Sequence, residues 1–160
     1  MIDTEQKLKL IMNSALEAAM PKDKFKFLPA KPKGKLIVLG AGKAAASMAA
    51  EFEKVYNHSL EGIVITRYGH YTKTKVIKVL EASHPKPDQA GLEATKILFD
   101  LAKNAKKDDH IVFLISGGAS SLLTLPLDGV SFEEKQRINT ELLISGAAID
   151  KMNIVRRSLS

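Results

Sequence analysis

Four short apolar runs, each separated from the next by polar or helical segments, constrain the fold of this chain most strongly. The runs are KLIVLG, EGIVITRYG, KVIKVLEA and HIVFLIS, and they are rich in valine and isoleucine. Between the third and fourth runs, from about Asp88 to Asn104, apolar residues recur at helical spacing. A second set at helical spacing follows the first run and consists of Ala45, Met48, Ala49 and Phe52. Continuous apolar strands that alternate with amphipathic helices are typical of a parallel sheet covered on both faces. The sequence therefore predicts a doubly wound α/β fold with a mainly parallel sheet.

Two further helices are predicted outside this core pattern. Residues 3 to 19 have the periodicity of an amphipathic helix that stops before Pro21. Ser131 and Glu134 have capping-box spacing, which predicts a helix from there through Leu143. We expect residues 1–34 to form an N-terminal helix with a Pro/Lys-rich connector, and residues 35–160 to form one domain.

Composition excludes several classes of function. The formal net charge is +6, but the lysines are dispersed and no nucleic-acid-binding module surrounds them, so a small anionic substrate is favoured over a polyanion. No apolar run approaches the roughly 20 residues that a membrane-spanning helix needs. The chain has no cysteine, which excludes disulfides and thiolate metal sites and is compatible with the cytoplasm. We expect a cytoplasmic protein with no nucleic-acid or membrane partner.

Three unusual loops follow three of the predicted strands. They are GAGKAA after the first strand, EASHPKPDQAG at the third and ISGGASS after the fourth. In open α/β folds, ligands bind beyond the carboxyl ends of the strands and at helix N-termini. The three loops therefore predict one ligand-binding site at this edge of the sheet.

The first loop leaves two interpretations open. The residues Gly40 to Ala45 fit G-x-G-x-x-A, a variant of the dinucleotide fingerprint, although Arg67 stands where an acidic residue for the ribose is expected and suits a 2′-phosphate instead. Alternatively, Lys43 binds a phosphate or carboxylate at the start of the following helix. A lysine in this place is also commonly a solvated side chain.

The other candidate residues also have structural alternatives. His84, in a loop stiffened by two prolines, suits an acid, a base or a hydrogen-bond donor. Asp88 either caps the next helix or serves as a weak metal ligand. Arg156 suits a phosphate or carboxylate but also fits a solvated helix face.

Several longer strings, in this order, resemble the N-terminal domain of the type-2 glycerate kinases, also called the MOFRL group, some members of which are labelled hydroxypyruvate reductases. The strings are GKAAASMA, ASHPKPDQAG, SGGASSLL and NTELLISGAAIDKMNIVRRSLS, and the resemblance runs from about Lys35 to Ser160. Three positions depart from the usual pattern, since Ala119 replaces a glycine, Ser121 replaces an alanine and Ser158 stands where a histidine is common.

The resemblance implies a Rossmann-like domain that contributes to ATP-dependent phosphorylation of D-glycerate to 2-phosphoglycerate with Mg²⁺. In that family the active site lies between this domain and a smaller C-terminal domain. Lys43 and His84 are then the candidate catalytic residues, and Asp88 is the candidate metal ligand. The candidate residues for binding substrate or phosphate are Gly40, Gly42, Ser83, Ser116, Gly117, Gly118, Ser120, Asn153 and Arg156.

Because family members continue beyond the equivalent of Ser160, we expect the chain to end before their C-terminal domain. We also expect the isolated chain to be inactive and to self-associate, for example as a homodimer, through uncovered apolar surface. Two alternatives remain open at this point. One is an NAD(P)H-dependent hydroxypyruvate reductase, and the other is a non-catalytic ligand-binding or interaction domain.

Overall fold

A single parallel sheet forms the centre of the protein. The computed structural model describes residues 3–160, so Met1 and Ile2 of the predicted N-terminal segment lie outside the described residues. The strands are β1 (Leu36–Ala41), β2 (Glu61–Arg67), β3 (Lys78–Ala82) and β4 (His110–Ile115). Their order in the sheet is β3-β2-β1-β4, and every neighbouring pair is parallel.

Helices precede, connect and follow the strands. They are α1 (Thr4–Ala19), α2 (Ala45–Val55), α3 (Gln89–Lys103), α4 (Ala119–Leu122), α5 (Phe132–Ile144) and α6 (Ile149–Arg157). Among residues 3–160, no helix has the length and apolarity needed to cross a bilayer.

Two apolar cores lie on opposite faces of the sheet. On one face, α2 packs through Phe52 against residues that include Val38 of β1 and Leu114 of β4. On the other, α3 packs through Leu98 against residues that include Leu39 of β1. All six residues of β1 are buried, as expected for a central strand in a parallel sheet. The prediction of a doubly wound α/β fold is confirmed.

Local signals in the sequence set the helix boundaries. Helix α1 ends at Ala19, two residues before Pro21, because proline lacks the N–H that a continuing helix needs. The Asp88 carboxylate accepts a hydrogen bond from the Gly91 N–H at 2.9 Å and so caps α3. Ser131 and Glu134 form both bonds of a capping box at the start of α5.

Strand β3 is shorter than its apolar run predicts. The run begins at Lys75, whereas the strand begins at Lys78. The Glu53 carboxylate of α2 accepts hydrogen bonds from the backbone N–H groups of Lys75, Val76 and Ile77. These donors are thereby satisfied by a side chain instead of by a neighbouring strand, and pairing starts only after them.

Candidate anion-binding site

The loops after β1 and β4 are joined by direct hydrogen bonds at the carboxyl edge of the sheet. The Lys43 N–H donates to the Gly117 carbonyl at 2.9 Å, and the Ala44 N–H donates to Ser116 Oγ at 3.0 Å. The His70 ring lies 2.9 Å, measured from Nδ1, from the Lys43 carbonyl. The backbone of Lys43 is therefore held on both sides, while its side chain remains exposed.

Two glycines of the first loop are required by this close packing. Gly42 has a φ of +133°, and a Cβ added there would lie 2.1 Å from Ser116 Oγ. A Cβ at Gly40, within β1, would lie 2.6 Å from the Leu114 carbonyl oxygen. Both glycines are buried, so Gly40 lies in the contact between β1 and β4, and Gly42 and Ser116 lie in the contact between the two loops that follow these strands.

His84 and Lys43 meet over the turn formed by Gly117 and Gly118. Gly118 has a φ of +94°, and a Cβ there would lie 2.7 Å from the His84 ring and 3.5 Å from Lys43 Cγ. A Cβ at Gly117 would lie 3.7 Å from Lys43 Cε. The absence of a side chain at Gly118 therefore lets the imidazole lie against the turn. Ser83, which precedes His84 in the same loop, is half-buried.

The electrostatic environment of His84 is strongly cationic. Partial burial lowers the pKa of this imidazole, and the positive charges of Lys43, Arg67 and Arg156 lower its pKa further. These three side chains come from the ends of β1 and β2 and from α6. Burial and the three positive charges therefore all favour the neutral form of the imidazole.

Helix α5 contacts the site through Asn139, which is not among the predicted site residues. Asn139 is buried, and its Nδ2 donates to the Pro85 carbonyl at 3.3 Å. Its Oδ1 accepts a hydrogen bond from Arg156 Nε at 2.9 Å. Gln136, one turn earlier, donates to the Pro87 carbonyl at 2.8 Å. Helix α5 thus connects the His84 loop with Arg156. In the sequence, the density of polar residues in the NTELL string is the signal that could have indicated a role for Asn139.

The remaining predicted residues lie beside this cluster. A depression of about 400 Å³ brings together Ser120, Leu123, Asn153, Arg156, Arg157 and Ser160. Arg156 borders this depression and also lies within electrostatic range of His84. The predicted residues therefore form two adjoining groups linked by Arg156.

Asp88 has a structural role in the described residues. One carboxylate oxygen accepts the α3 cap bond from Gly91, and the other accepts a hydrogen bond from the Tyr68 hydroxyl at 2.7 Å. That hydroxyl bond is the main reason why the pKa of Tyr68 is raised. Residues 3–160 contain no group of three or more His, Cys, Asp or Glu side chains placed to hold a metal ion.

The first loop lacks the free donors of a dinucleotide-binding loop. In such loops the backbone N–H groups at the helix start bind a pyrophosphate. Here the N–H groups of Lys43 and Ala44 are bonded to the loop after β4, and that of Ala45 donates to the Gly42 carbonyl at 3.1 Å. The Lys43 side chain, in contrast, is exposed.

The fold and site together define an α/β domain with a cation-rich binding site at the carboxyl edge of its sheet. A protein family described as "Domain of unknown function (DUF4147)" matches residues 7–160. This match covers nearly the whole chain, and the chain belongs to that family.

Named relatives connect the family with glycerate. The chain is 42% identical over 161 residues to a putative hydroxypyruvate reductase of Agrobacterium vitis, covering 99% of this chain and 37% of that protein. It is 39% identical over 166 residues to the D-glycerate 2-kinase of Thermotoga maritima, covering 100% of this chain and 40% of that protein. The resemblance to the glycerate kinases seen in the sequence is thereby confirmed.

The structural comparison agrees. A crystal structure of a glycerate kinase from Thermotoga maritima matches with a TM-score of 0.78 and 35% identity, covering 94% of this chain and 37% of that one. The chain thus spans about two fifths of the length of each of these three proteins.

Proposed function

We propose that this chain provides the N-terminal portion of a D-glycerate 2-kinase, which transfers the γ-phosphoryl group of ATP to the 2-hydroxyl of D-glycerate. The observation that carries the proposal is the placement of Lys43 and His84 over the Gly117–Gly118 turn, where the positive charges of Arg67 and Arg156 also act on His84. Glycerate, ATP and the phosphoglycerate product are all anions, so a cationic site suits each of them. The names of the relatives supply the choice of substrate.

Phosphoryl transfer requires the protein to neutralise charge and to align the attacking and leaving oxygens more than it requires covalent catalysis. In phosphoryl transfer, negative charge is spread over the equatorial oxygens while the attacking and leaving oxygens lie in line. The Lys43 ammonium provides a point charge, and the Arg156 guanidinium provides a fork that matches a carboxylate or phosphate. Preorganised charges of this kind stabilise the transition state because they need no reorientation during the reaction.

His84 is suited to the proton transfer. Its lowered pKa keeps the imidazole unprotonated at pH 7, as a general base must be. In the proposed reaction, the glycerate hydroxyl oxygen bonds to the γ-phosphorus, the bond to the ADP oxygen breaks, and the hydroxyl proton passes to His84. Because the cations make imidazolium unfavourable, this transfer also requires the incoming negative charge of the substrates.

The resemblance to the glycerate kinases implies that the reaction uses Mg²⁺. Both oxygens of Asp88 already accept hydrogen bonds, so a metal role for Asp88 stays a prediction. A cytoplasmic location and a second, C-terminal domain that closes over the site also remain predictions. A homodimer of the isolated chain is a further expectation, which light scattering would test.

A hydroxypyruvate reductase is the second candidate, because the Agrobacterium vitis relatives carry that name. The occupied N–H groups of the first loop disfavour it, since a nicotinamide dinucleotide would need them for its pyrophosphate. Thermal-shift titrations with NADH, NADPH and ATP would separate the two candidates. A shift with NADH or NADPH but none with ATP would favour the reductase.

Turnover provides the direct test of the kinase proposal. A chimera in which this chain replaces the matched segment of the Thermotoga maritima D-glycerate 2-kinase should form phosphoglycerate from D-glycerate and ATP. The isolated 160-residue chain should form none, because one layer of loops does not enclose the transferring group. A folded chimera that binds ATP but leaves glycerate unchanged would contradict the proposal.

A further inference from the structure

His70 contacts the backbone of Lys43 from the loop that follows β2. Its Nδ1 lies 2.9 Å from the Lys43 carbonyl oxygen. A carbonyl oxygen can only accept a hydrogen bond, so Nδ1 carries the hydrogen and donates it. Nδ1 carries a hydrogen both in this neutral tautomer and in the imidazolium form, so the bond is compatible with either protonation state. The contact therefore defines His70 as a hydrogen-bond donor to Lys43.

The sequence RYGH builds the turn that brings His70 to this carbonyl. The His70 N–H donates to the Arg67 carbonyl at 3.1 Å, which closes a four-residue turn. Gly69, at the third position of the turn, has a φ of +77°, a conformation that glycine adopts without steric cost. The turn therefore follows from a local sequence signal, and it sets where the His70 side chain leaves the backbone.

The turn is itself attached to β3 and to the start of α3. The Tyr68 N–H donates to the Ala82 carbonyl at 3.1 Å, and the Gly69 N–H donates to Glu81 Oε1 at 2.8 Å. The Tyr68 hydroxyl donates to Asp88 Oδ2 at 2.7 Å. These three bonds tie the turn to regular secondary structure although its residues are exposed. The imidazole donor is therefore placed before any ligand binds, as a residue that positions another must be.

The Lys43 carbonyl depends on side-chain donors because it lies outside the helical bonds of α2. The first such bond runs from the Met48 N–H to the Ala44 carbonyl, one residue after Lys43. Thr66 Oγ1, which is fully buried, lies 3.4 Å from the Lys43 carbonyl oxygen, beyond the usual length of about 2.5–3.0 Å for a bond between two oxygens. The bond from His70, at 2.9 Å, is thus the stronger of the two contacts to this carbonyl.

The orientation of the Lys43 backbone decides where its side chain enters the site. Its N–H is bonded to the Gly117 carbonyl and its own carbonyl to His70, so both sides of its Cα are anchored. The side chain then runs along the glycine turn, because a Cβ added at Gly118 would lie 3.5 Å from Lys43 Cγ and one added at Gly117 would lie 3.7 Å from Lys43 Cε. Loss of the His70 bond would release one of the two anchors and let the ammonium move away from the turn.

We propose that His70 is a positioning residue for Lys43, and that the bond from its Nδ1 to the Lys43 carbonyl holds the ammonium over the Gly117–Gly118 turn. This role rests on the proposed kinase function for its effect on turnover, because a charge stabilises a transition state only where it is correctly placed. The placement of Lys43 itself can be measured without turnover.

Two variants of similar shape separate the hydrogen-bond donor from the imidazole ring. In His70→Asn the side-chain Nδ2 takes the place of Nδ1 and keeps a donor, whereas His70→Leu fills the same space without one. The reporter in the isolated chain is the pKa of His84, which the Lys43 charge lowers. NMR titration should show that His70→Leu raises this pKa, as Lys43→Ala should, and that His70→Asn raises it less. His58→Leu, which alters an exposed histidine before β2 at the opposite edge of the sheet, should leave it unchanged.

Turnover in the chimera supplies a second readout. His70→Leu should lower kcat/KM for glycerate about tenfold or more, mainly through kcat, because a displacement of about 1 Å can cost roughly 100-fold in rate. His70→Asn should retain most of the parental value. The melting temperatures should stay close to that of the parent, since His70 is exposed.

Either of two results would overturn the proposal. One is a His84 pKa that is the same in His70→Leu as in the wild-type chain. The other is an equal loss of kcat/KM in the leucine and asparagine variants, which would show that the ring itself is required and not its bond to Lys43. Absence of turnover in the parent chimera would contradict the kinase function alone, and the NMR comparison would then decide the role of His70.

Discussion

His84 lies among positive charges that a bound anion would neutralise. Its pKa is lowered by partial burial and by the cations of the site, so a phosphate or carboxylate beside it should raise the pKa again. We predict that NMR titration of the isolated chain gives a His84 pKa below 6.5, and that saturating inorganic phosphate moves it upward. The exposed His58 is the internal control, and His84→Asn assigns the signal.

A His84 pKa that phosphate leaves unchanged would contradict this electrostatic account. It would mean that the anion binds elsewhere or that the three cations are individually solvated. An equal upward shift at His58 would indicate a general ionic-strength effect, because salt screens exposed charges throughout the surface.

Lys135 is a second residue whose environment predicts a pH effect. It is only 5% exposed, its ammonium donates to the Leu125 carbonyl at 2.9 Å and to Ser160 Oγ at 2.6 Å, and burial lowers its pKa to about 8. Between pH 8 and about 10.5 the unfolded chain binds more protons at this residue than the folded chain. The free energy of unfolding therefore increases as the pH rises from about 8 to about 10.5, and this gain is lost again as the pH falls through the folded pKa of about 8.

We predict that the melting temperature of the wild-type chain rises relative to that of Lys135→Met between pH 8 and 10. The comparison with the variant removes the contribution of the other lysines, which are present in both proteins. Parallel melting curves across this range would show that Lys135 is solvated in the folded state.

At the scale of elements, α5 links two parts of the candidate site. Asn139 bonds both to the Pro85 carbonyl and to Arg156, and hydrogen bonds to a charged group contribute about 1.5–3 kcal/mol. Asn139→Ala in the chimera should therefore lower kcat/KM for glycerate about tenfold or more. Asn139→Asp, which keeps the acceptor for Arg156, should restore part of that loss. Asn104→Ala, at an exposed helix end, is the control.

The outcome separates positioning from simple support of the fold. A lower melting temperature with unchanged kcat/KM in Asn139→Ala would show that the residue stabilises the helix packing only. Failure of the aspartate to restore any activity would show that the bond to Arg156 is not the important one.

The four strands and helices α1, α2, α3 and α5 could be predicted from the sequence because their signals are local, whereas α4 and α6 were not predicted. The capping residues Asp88 and Ser131, together with Pro21, set helix boundaries that the structure reproduces. The start of β3 could not be predicted, because the competing Glu53 carboxylate comes from 22 residues or more away in the chain.

The site was predictable only in part for the same reason. Neighbouring loops at one edge of a parallel sheet could be inferred, and the structure brings Lys43, His84 and Gly118 together. The bonds that hold Arg156 through Asn139 depend on how α5 and α6 pack, which no periodicity specifies. The sequence suggests only a 2′-phosphate as a partner for Arg67. The effect of its charge on the pKa of His84 depends on the folded geometry.

Over the whole molecule, binding groups and uncovered apolar surfaces lie in different places. The cationic cluster occupies the carboxyl edge of the sheet, whereas the open edge of β4 lies along its side. Helix α1 has no buried residue, and its apolar side chains at Leu8, Ile11, Met12 and Leu16 are also exposed.

If the cationic cluster stabilises phosphoryl transfer to glycerate, the kinetics of Lys43→Ala in the chimera should show a slower reaction. Removing a preorganised charge from a transition state typically lowers the rate by about 10²–10³-fold. The variant should therefore lose at least 100-fold in kcat/KM for glycerate without a change in melting temperature. Lys33→Ala, at an exposed lysine of the connector, should retain full activity. A Lys43→Ala chimera that phosphorylates glycerate as fast as its parent would contradict the account.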